Sequence, residues 1–382
     1  MDDPVTVVAP PERQAASVRL LSLDVLRGIT MATMVIVNNP GDWGAVYAPL
    51  LHAPWNGWTP TDLVFPFFLF IVGVSLTRSR ATMGPWGRIA RRAAVIVLAG
   101  LLLQLIPRFD FAHWRIPGVL QRIGLCYLAA ATLFRVTARG GRDAAAQARL
   151  LGACAALLAL IYWALVSWVP VPGGTAGDLT PGHDLGTFID RTLLGAHIYR
   201  GNWDPEGLLS TIPAISTTLL GCLAGLCLGS HAPAGRKVTV LCAGGLLLVV
   251  VGLVWDLGFP INKSLWTSSY VAFTGGAAAL ALAACYWTID VRGWTRWSSP
   301  FKILGMNALA LFVLSALLTK ALLYVKVGPM EARQSLYGVL YMTLYVPLAA
   351  PKNASLLFAL THLAVLFGIL FVMYRRKIFL KA

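Results

Sequence analysis

The chain has 382 residues; 57% carry hydrophobic side chains, only 12% are charged, and the mean hydropathy is +0.70. Soluble domains carry about 25% charged residues, so an ordinary soluble globule is excluded, and apolar runs of about 20 residues without the alternation of a barrel describe a polytopic helical membrane protein. The net charge of +15 and pI near 9.9 would suit nucleic acid, but the cations lie between apolar runs, where membrane orientation explains them, and no nucleic-acid partner is expected.

Residues 1–18 read as a cytoplasmic N-terminal tail, since no short apolar core with a small-residue cleavage site is present. Residues 19–382 read as one transmembrane domain. About ten spans start near Leu20, Leu63, Ala93, Val119, Leu150, Thr211, Val238, Ser268, Ile303 and Ala354. Arginines such as Arg88, Arg91, Arg92, Arg135, Arg139 and Arg375 crowd the loops on one side, which places both termini in the cytoplasm. Ser335 to Ala350 is apolar enough for a further span, but Tyr337, Tyr341 and Tyr345 recur at i, i+4 and i+8, the stripe of a helix lying at the outer interface. The six cysteines fall inside apolar runs without a second clustered pair, so no metal is expected.

Ionisable groups at membrane depth cost at least ~2.5 kcal/mol each, so each needs a partner or a purpose. Asp24 and Arg27 sit three residues apart in the first span, either as an ion pair orienting the helix end or with Arg27 turned to an anionic ligand. The span ends at Val37-Asn38-Asn39-Pro40, and the outer loop that follows carries His52-Ala53-Pro54-Trp55-Asn56-Gly57-Trp58 before returning at Thr61-Asp62-Leu63. An imidazole titrates near neutral pH, and a carboxylate on one ring nitrogen fixes its tautomer; Asn38 would serve a developing oxyanion. Arg122, one turn inside the fourth span, either snorkels or is a buried cation in need of an anion or carbonyl. Asp204-Pro205-Glu206-Gly207 places two acids before the sixth span, where they suit a helix N-terminus or an amine-bearing sugar. Asn262-Lys263-Ser264-Leu265-Trp266 reads as a short outer turn. Asn307 and His362 lie within spans, where interhelical hydrogen bonds account for them.

Taken in order, Asp24-x-x-Arg27-Gly28, Val37-Asn38, His52-Ala53-x-Trp55-Asn56-Gly57, Asp62-Leu63-Val64-Phe65-Pro66, Arg115-Ile116-Pro117-Gly118-Val119-Leu120-Gln121-Arg122, Asp204-Pro205-Glu206-Gly207, Asn262-Lys263-x-Leu265-Trp266 and Gly305-Met306-Asn307 closely resemble the heparan-alpha-glucosaminide N-acetyltransferase family. The resemblance implies an acetyl-CoA-dependent N-acetyltransferase that takes acetyl from acetyl-CoA in the cytoplasm and delivers it across the bilayer to a glucosamine-type amine. It implies His52, Asp62 and Asn38 as catalytic residues, with the adjacent Asn39 open as the family asparagine. Candidates for holding acetyl-CoA are Arg27, Arg122, Arg115 and Asn307; candidates for the amino sugar are Trp55, Asn56, Asp204, Glu206 and Lys263. His52 acts as general base or as acetyl carrier. Where the lysosomal enzyme has a second histidine, this chain has Ser315. Without that enzyme's luminal N-terminal domain and extra first helix, the chain is expected to be similar to bacterial members of the inner membrane, and a homodimer is expected from the same resemblance. An amino-sugar transporter and a non-enzymatic partner in cell-surface polymer assembly are the competing classes. A transporter would gather polar groups near the bilayer midplane, whereas here they gather at the outer end.

Overall fold

The computed structural model describes residues 20–79, 82–139, 142–199, 203–329 and 333–380; the expected tail, residues 1–18, lies outside these. Helix is the dominant regular structure among the described residues. The helices are α1 (Leu21–Asn38), α2 (Val64–Thr77), α3 (Trp86–Leu105), α4 (Val119–Thr137), α5 (Ala144–Trp168), α6 (Leu185–Leu194), α7 (Thr211–Gly229), α8 (Ala234–Asp256), α9 (Ser268–Cys285), α10 (Ser299–Met306), α11 (Ala308–Tyr324), α12 (Leu336–Leu340) and α13 (Pro351–Arg375). Two-residue strands β1 (Lys326–Val327) and β2 (Gln334–Ser335) pair antiparallel.

Among the described residues, eight helical segments are long and apolar enough to cross a membrane, and a ninth is counted if α10 and α11, bent by 72° about Asn307, form one broken span. The protein is thus an all-α multi-pass membrane protein. The remaining expected span corresponds to α3, whose first two turns carry Arg88, Arg91 and Arg92, so its purely apolar stretch is too short for the hydrocarbon core alone. The span expected from Ile303 breaks at Asn307, which has a non-helical backbone (φ −123°, ψ 41°).

Side-chain caps start several helices. Asp143 accepts from Ala146 N–H at α5, Asp184 from Thr187 N–H at α6 and Ser335 from Gly338 N–H at α12, each satisfying an amide that has no partner within its helix. Inside the bundle, small residues allow backbones to touch. A Cβ on Gly28 of α1 would fall on the Phe301 carbonyl oxygen of α10, and one on Gly305 of α10 would fall on the Asp24 carbonyl oxygen of α1. Gly73 of α2 and Gly221 of α7 meet the Thr218 and Phe70 carbonyls in the same reciprocal way.

The 336–345 segment is a short apolar helix of ten residues, too short to span. Its tyrosines do not form a free interfacial stripe. Tyr337, Tyr341 and Tyr345 all pack on Phe358 of α13, with ring centroids 4.6, 6.0 and 5.3 Å away. The helical spacing that suggested an interface instead builds a seam between helices. His362, one turn beyond Phe358 on α13, is buried, and its Nε2 has no hydrogen-bond partner among the described residues, so the expected interhelical bond is missing at that atom.

Candidate functional site

At one end of the bundle, the loop after α1 folds back over the start of α2. Thr59 and Asp62 form a capping box on the turn Pro60–Leu63, which leads directly into α2. That motif fixes the Asp62 carboxylate, which is 1% exposed. Its Oδ2 accepts from the backbone N–H of Ala53 (3.0 Å) and Thr59 (2.9 Å). Its Oδ1 faces His52 Nδ1 at 2.6 Å. On the far side of the ring, Lys263 Nζ lies 3.3 Å from His52 Nε2. The His52 side chain remains 45% exposed, so it is open to a ligand while both nitrogens are occupied.

These partners determine the ring's state. A carboxylate only accepts and an ammonium only donates, so between Asp62 and Lys263 the imidazole carries its proton on Nδ1 and presents a lone pair at Nε2. That is the form in which a histidine abstracts a proton or attacks a carbonyl carbon.

Lys263 is delivered by the turn between α8 and α9. Asn262, fully buried, accepts from Leu265 N–H through Oδ1 (2.9 Å), donates its own N–H to Thr267 Oγ1 (3.0 Å) and donates through Nδ2 to Asn56 Oδ1 (3.1 Å). Gly57, at φ +94°, gives its N–H to the Ile261 carbonyl at 2.7 Å, a left-handed conformation that favours glycine. The His52 loop and the Lys263 turn are therefore stitched together directly. Trp55 donates Nε1–H to the Leu179 carbonyl (2.8 Å) and meets Trp203 edge-on at 5.3 Å, while Trp58 packs on Phe273 at 4.6 Å. Tyr270 of α9 donates its hydroxyl to the Asp62 carbonyl oxygen. Burial pulls the Lys263 ammonium below the usual lysine range, against the pull of Glu206 and Asp62 and with the push of Arg122 and Arg115.

Beside this cluster lies a network of buried charges. Arg115 grips Asp204 with Nε at 2.8 Å and with Nη2, which also reaches Glu206; its guanidinium lies 4.9 Å over the Tyr199 ring. Asp204 further accepts from the N–H groups of Tyr199 and Glu206. Burial alone would lower the pKa of Arg115, but the two carboxylates raise it. Arg122, 1% exposed, does not snorkel. Its Nη2 donates to the Gly207 carbonyl (3.0 Å) and to Ser210, and the guanidinium stacks 5.1 Å over Trp266; Nε and Nη1 have no partner among the described residues.

The expected residues thus separate into two places. His52, Asp62, Asn56, Lys263 and Trp55 belong to one connected cluster. Asp204 and Glu206 adjoin it; both Asp204 oxygens and Oε2 of Glu206 are engaged by Arg115. Arg115 and Arg122 belong to the same end and are committed to that network. Arg27 and Asn307 lie away from it: Arg27 is eleven residues before the end of α1, about 16 Å along the helix at 1.5 Å per residue, and Asn307 sits at the break between α10 and α11. Arg27 donates to Asp24 (3.2 Å), the Gly305 carbonyl (3.3 Å) and Ser75 Oγ (2.6 Å), tying α1 to α2 and α10. Asn307 holds the C-terminal segment, donating to the Ile378 carbonyl and accepting from Leu380 N–H, both at 3.1 Å. Four expected acetyl-CoA contacts therefore do not converge on one surface.

Asn38 ends α1 as an exposed residue outside the hydrogen-bonded cluster. Its neighbour Asn39 is the buried one, donating to the Val35 carbonyl (2.7 Å) and to Ser315 Oγ (3.4 Å) and accepting from Thr319. Thr59 and Tyr270 are not among the residues to which the sequence points, and Asn262 enters there only as part of the turn that carries Lys263. The Thr59-Pro60-Thr61-Asp62 pattern is a capping signal that points to Thr59; Tyr270 carries no comparable local mark.

A family model for the catalytic region of heparan-alpha-glucosaminide N-acetyltransferase matches residues 19–167, the stretch holding His52 and Asp62. The mouse heparan-alpha-glucosaminide N-acetyltransferase is 32% identical over 81% of this chain and 55% of its own length, and the human protein is 33% identical over 77% and 52%. The chain belongs to the heparan-alpha-glucosaminide N-acetyltransferase family. It spans about half the length of these curated relatives. Within the family match, the His52 loop and the Asp62 capping box fall in the N-terminal half, while Lys263 and Glu206 come from beyond residue 167.

Proposed function

We propose that this chain is a transmembrane N-acetyltransferase that moves acetyl from acetyl-CoA to the amine of a glucosamine-type sugar at the end of the bundle that carries His52. The observation that carries the reading is the exposed His52 ring, with Nδ1–H held by buried Asp62 and a lone pair at Nε2. The names of the relatives support the substrate class. As general base, Nε2 takes a proton from the sugar amine as its nitrogen attacks the thioester carbonyl. The C–N bond forms, the C–S bond breaks, and the imidazolium returns the proton to the departing thiolate. As acetyl carrier, Nε2 attacks the thioester first and the amine resolves the acetyl-imidazole. In either route Asp62 holds the ring and stabilises the imidazolium that develops. Acetyl-CoA arriving from the cytoplasmic end near Arg27, an oligomer of two chains, a bacterial inner-membrane location, cytoplasmic termini, and residues 19–382 acting as one domain after a short tail belong to the same proposal.

The test is transfer of radiolabelled acetyl from acetyl-CoA to glucosamine by purified protein in detergent, beside His52→Ala. The expected result is labelled N-acetylated sugar from the wild type and at least a hundredfold less from the variant, the low end of what general base catalysis supplies, about 10²–10⁴. Absence of transfer to every member of a panel of amino sugars, together with sugar uptake in proteoliposomes, would overturn the proposal in favour of a transporter.

A further inference from the structure

Lys263 stands where an acceptor amine has to stand. A nucleophile deprotonated by His52 must come within hydrogen-bond reach of Nε2, and the Lys263 amine is already there, 3.3 Å away. It is a primary amine on a saturated carbon, the same nucleophile as the amine of glucosamine. Its position is not that of a wandering surface lysine. The turn that carries it is fastened by two side-chain hydrogen bonds of Asn262, by the Asn262 N–H on Thr267 Oγ1 and by the Gly57–Ile261 backbone bond. Trp266 closes the turn at φ +54°, a conformation unusual for a bulky residue that persists only where surroundings hold it.

We propose that Lys263 is an internal acetyl acceptor, modified at Nζ when acetyl-CoA is bound and no amino sugar fills the site. The inference rests on the function proposed above. In the step, the neutral Nζ attacks the thioester carbonyl carbon, or the carbonyl of an acetyl-imidazole on His52. A C–N bond forms and the C–S bond, or the carbonyl–imidazole bond, breaks. The proton leaving Nζ passes to His52 Nε2 and, in the direct route, on to the CoA thiolate. The products are acetyl-lysine and free CoA.

Lys263 rests as the ammonium that sets the His52 tautomer, and its surroundings ease loss of the one proton that frees the attacking amine. Burial lowers the Lys263 pKa, Arg122 and Arg115 press the same way, and Glu206 and Asp62 oppose them. Acetylation would remove the cation between those carboxylates and His52 and would fill the acceptor's place with an amide. A sugar arriving first would displace the lysine from Nε2 and protect it. The same geometry thus makes Lys263 a stand-in for substrate and a site of self-inactivation.

The experiment uses the full-length protein in detergent, incubated with acetyl-CoA and without sugar, followed by peptide mass spectrometry and by a sugar-transfer assay on the same preparation. The expected result is one acetyl group on the peptide containing Lys263, stable to hydroxylamine as an amide is and an acetyl-imidazole is not. Glucosamine added at the start should suppress it, and His52→Ala should lower it about a hundredfold. Lys263→Arg, which keeps the positive charge but offers no acceptor amine, should carry no label there. Wild-type transfer of sugar should fall in proportion to the acetylated fraction. Active sugar transfer with Lys263 unmodified would overturn the inference and leave the proposed function standing. Equal labelling of wild type and His52→Ala would show ordinary chemical acetylation and also overturn it. Neither sugar transfer nor labelling would overturn the proposed function along with it.

Discussion

Replacing Asp62 by asparagine separates charge from shape at the site. Both oxygens of the carboxylate are engaged, Oδ2 by the Ala53 and Thr59 amides and Oδ1 by His52 Nδ1. An asparagine has one accepting oxygen and one donating NH₂. The two backbone N–H groups cannot face an NH₂, so the oxygen must take the Oδ2 position and the NH₂ must face His52. Nδ1 then becomes the acceptor, the ring proton moves to Nε2, and Nε2–H points at the Lys263 ammonium. Loss of charge-assisted bonding should lower stability by about 1–2 kcal/mol. Loss of the Nε2 lone pair should cost about 10³–10⁴ in rate, the scale seen when a triad histidine is held in the wrong tautomer, equivalent to about 4–5.5 kcal/mol of barrier. Thermal unfolding in detergent measures the first, and the initial rate of acetyl transfer to glucosamine measures the second. Asp62→Asn working within tenfold of wild type would refute the tautomer argument.

Three further changes test the scaffold. Gly28→Ala forces a methyl group onto the Phe301 carbonyl and should lower stability by about 1–3 kcal/mol, whereas Gly87→Ala, which meets nothing within 4 Å, should be tolerated; equal unfolding midpoints would contradict the close α1–α10 contact. Arg115→Ala leaves Asp204 and Glu206 buried without their cation and should cost about 3–5 kcal/mol, with Arg115→Lys recovering part of it; an unchanged melting midpoint would show that the network is solvated. Burial raises the Asp190 carboxyl to about 6, against the Leu208 N–H bond that lowers it and with Asp204 raising it further. A raised folded-state pKa means the native state keeps a proton that the unfolded chain has shed, so this stabilisation is full below about pH 4 and is lost as pH rises through about 6. Asp190→Asn should flatten that loss, by about 3 kcal/mol at most, and parallel melting profiles between about pH 4 and 7 would count against it.

The spans were legible because apolar runs bounded by arginines are a local signal, and the same signal explains where reading ran short. In α3 the three arginines shorten the apolar stretch, and at Asn307 a break in hydrogen bonding leaves hydropathy unchanged while bending the helix by 72°. His52 and Asp62 are ten residues apart, on one loop, and their pairing follows from the loop's return to the bilayer. Arg115 and Asp204 are 89 residues apart and Asn307 and Ile378 are 71 apart; no local spacing says that they meet, so acids that looked available to a sugar proved to be engaged by an arginine. The tyrosines of the 336–345 helix show the converse difficulty. Helical spacing identifies a face, while only packing reveals that Phe358 covers it.

The most direct test of the central claim encloses glucosamine in proteoliposomes containing the purified protein and supplies radiolabelled acetyl-CoA outside. The account predicts labelled N-acetylglucosamine inside the vesicles with wild type and none above background with His52→Ala. Labelled product that forms equally with His52→Ala, or glucosamine that leaves the vesicles unmodified in a protein-dependent way, would contradict it.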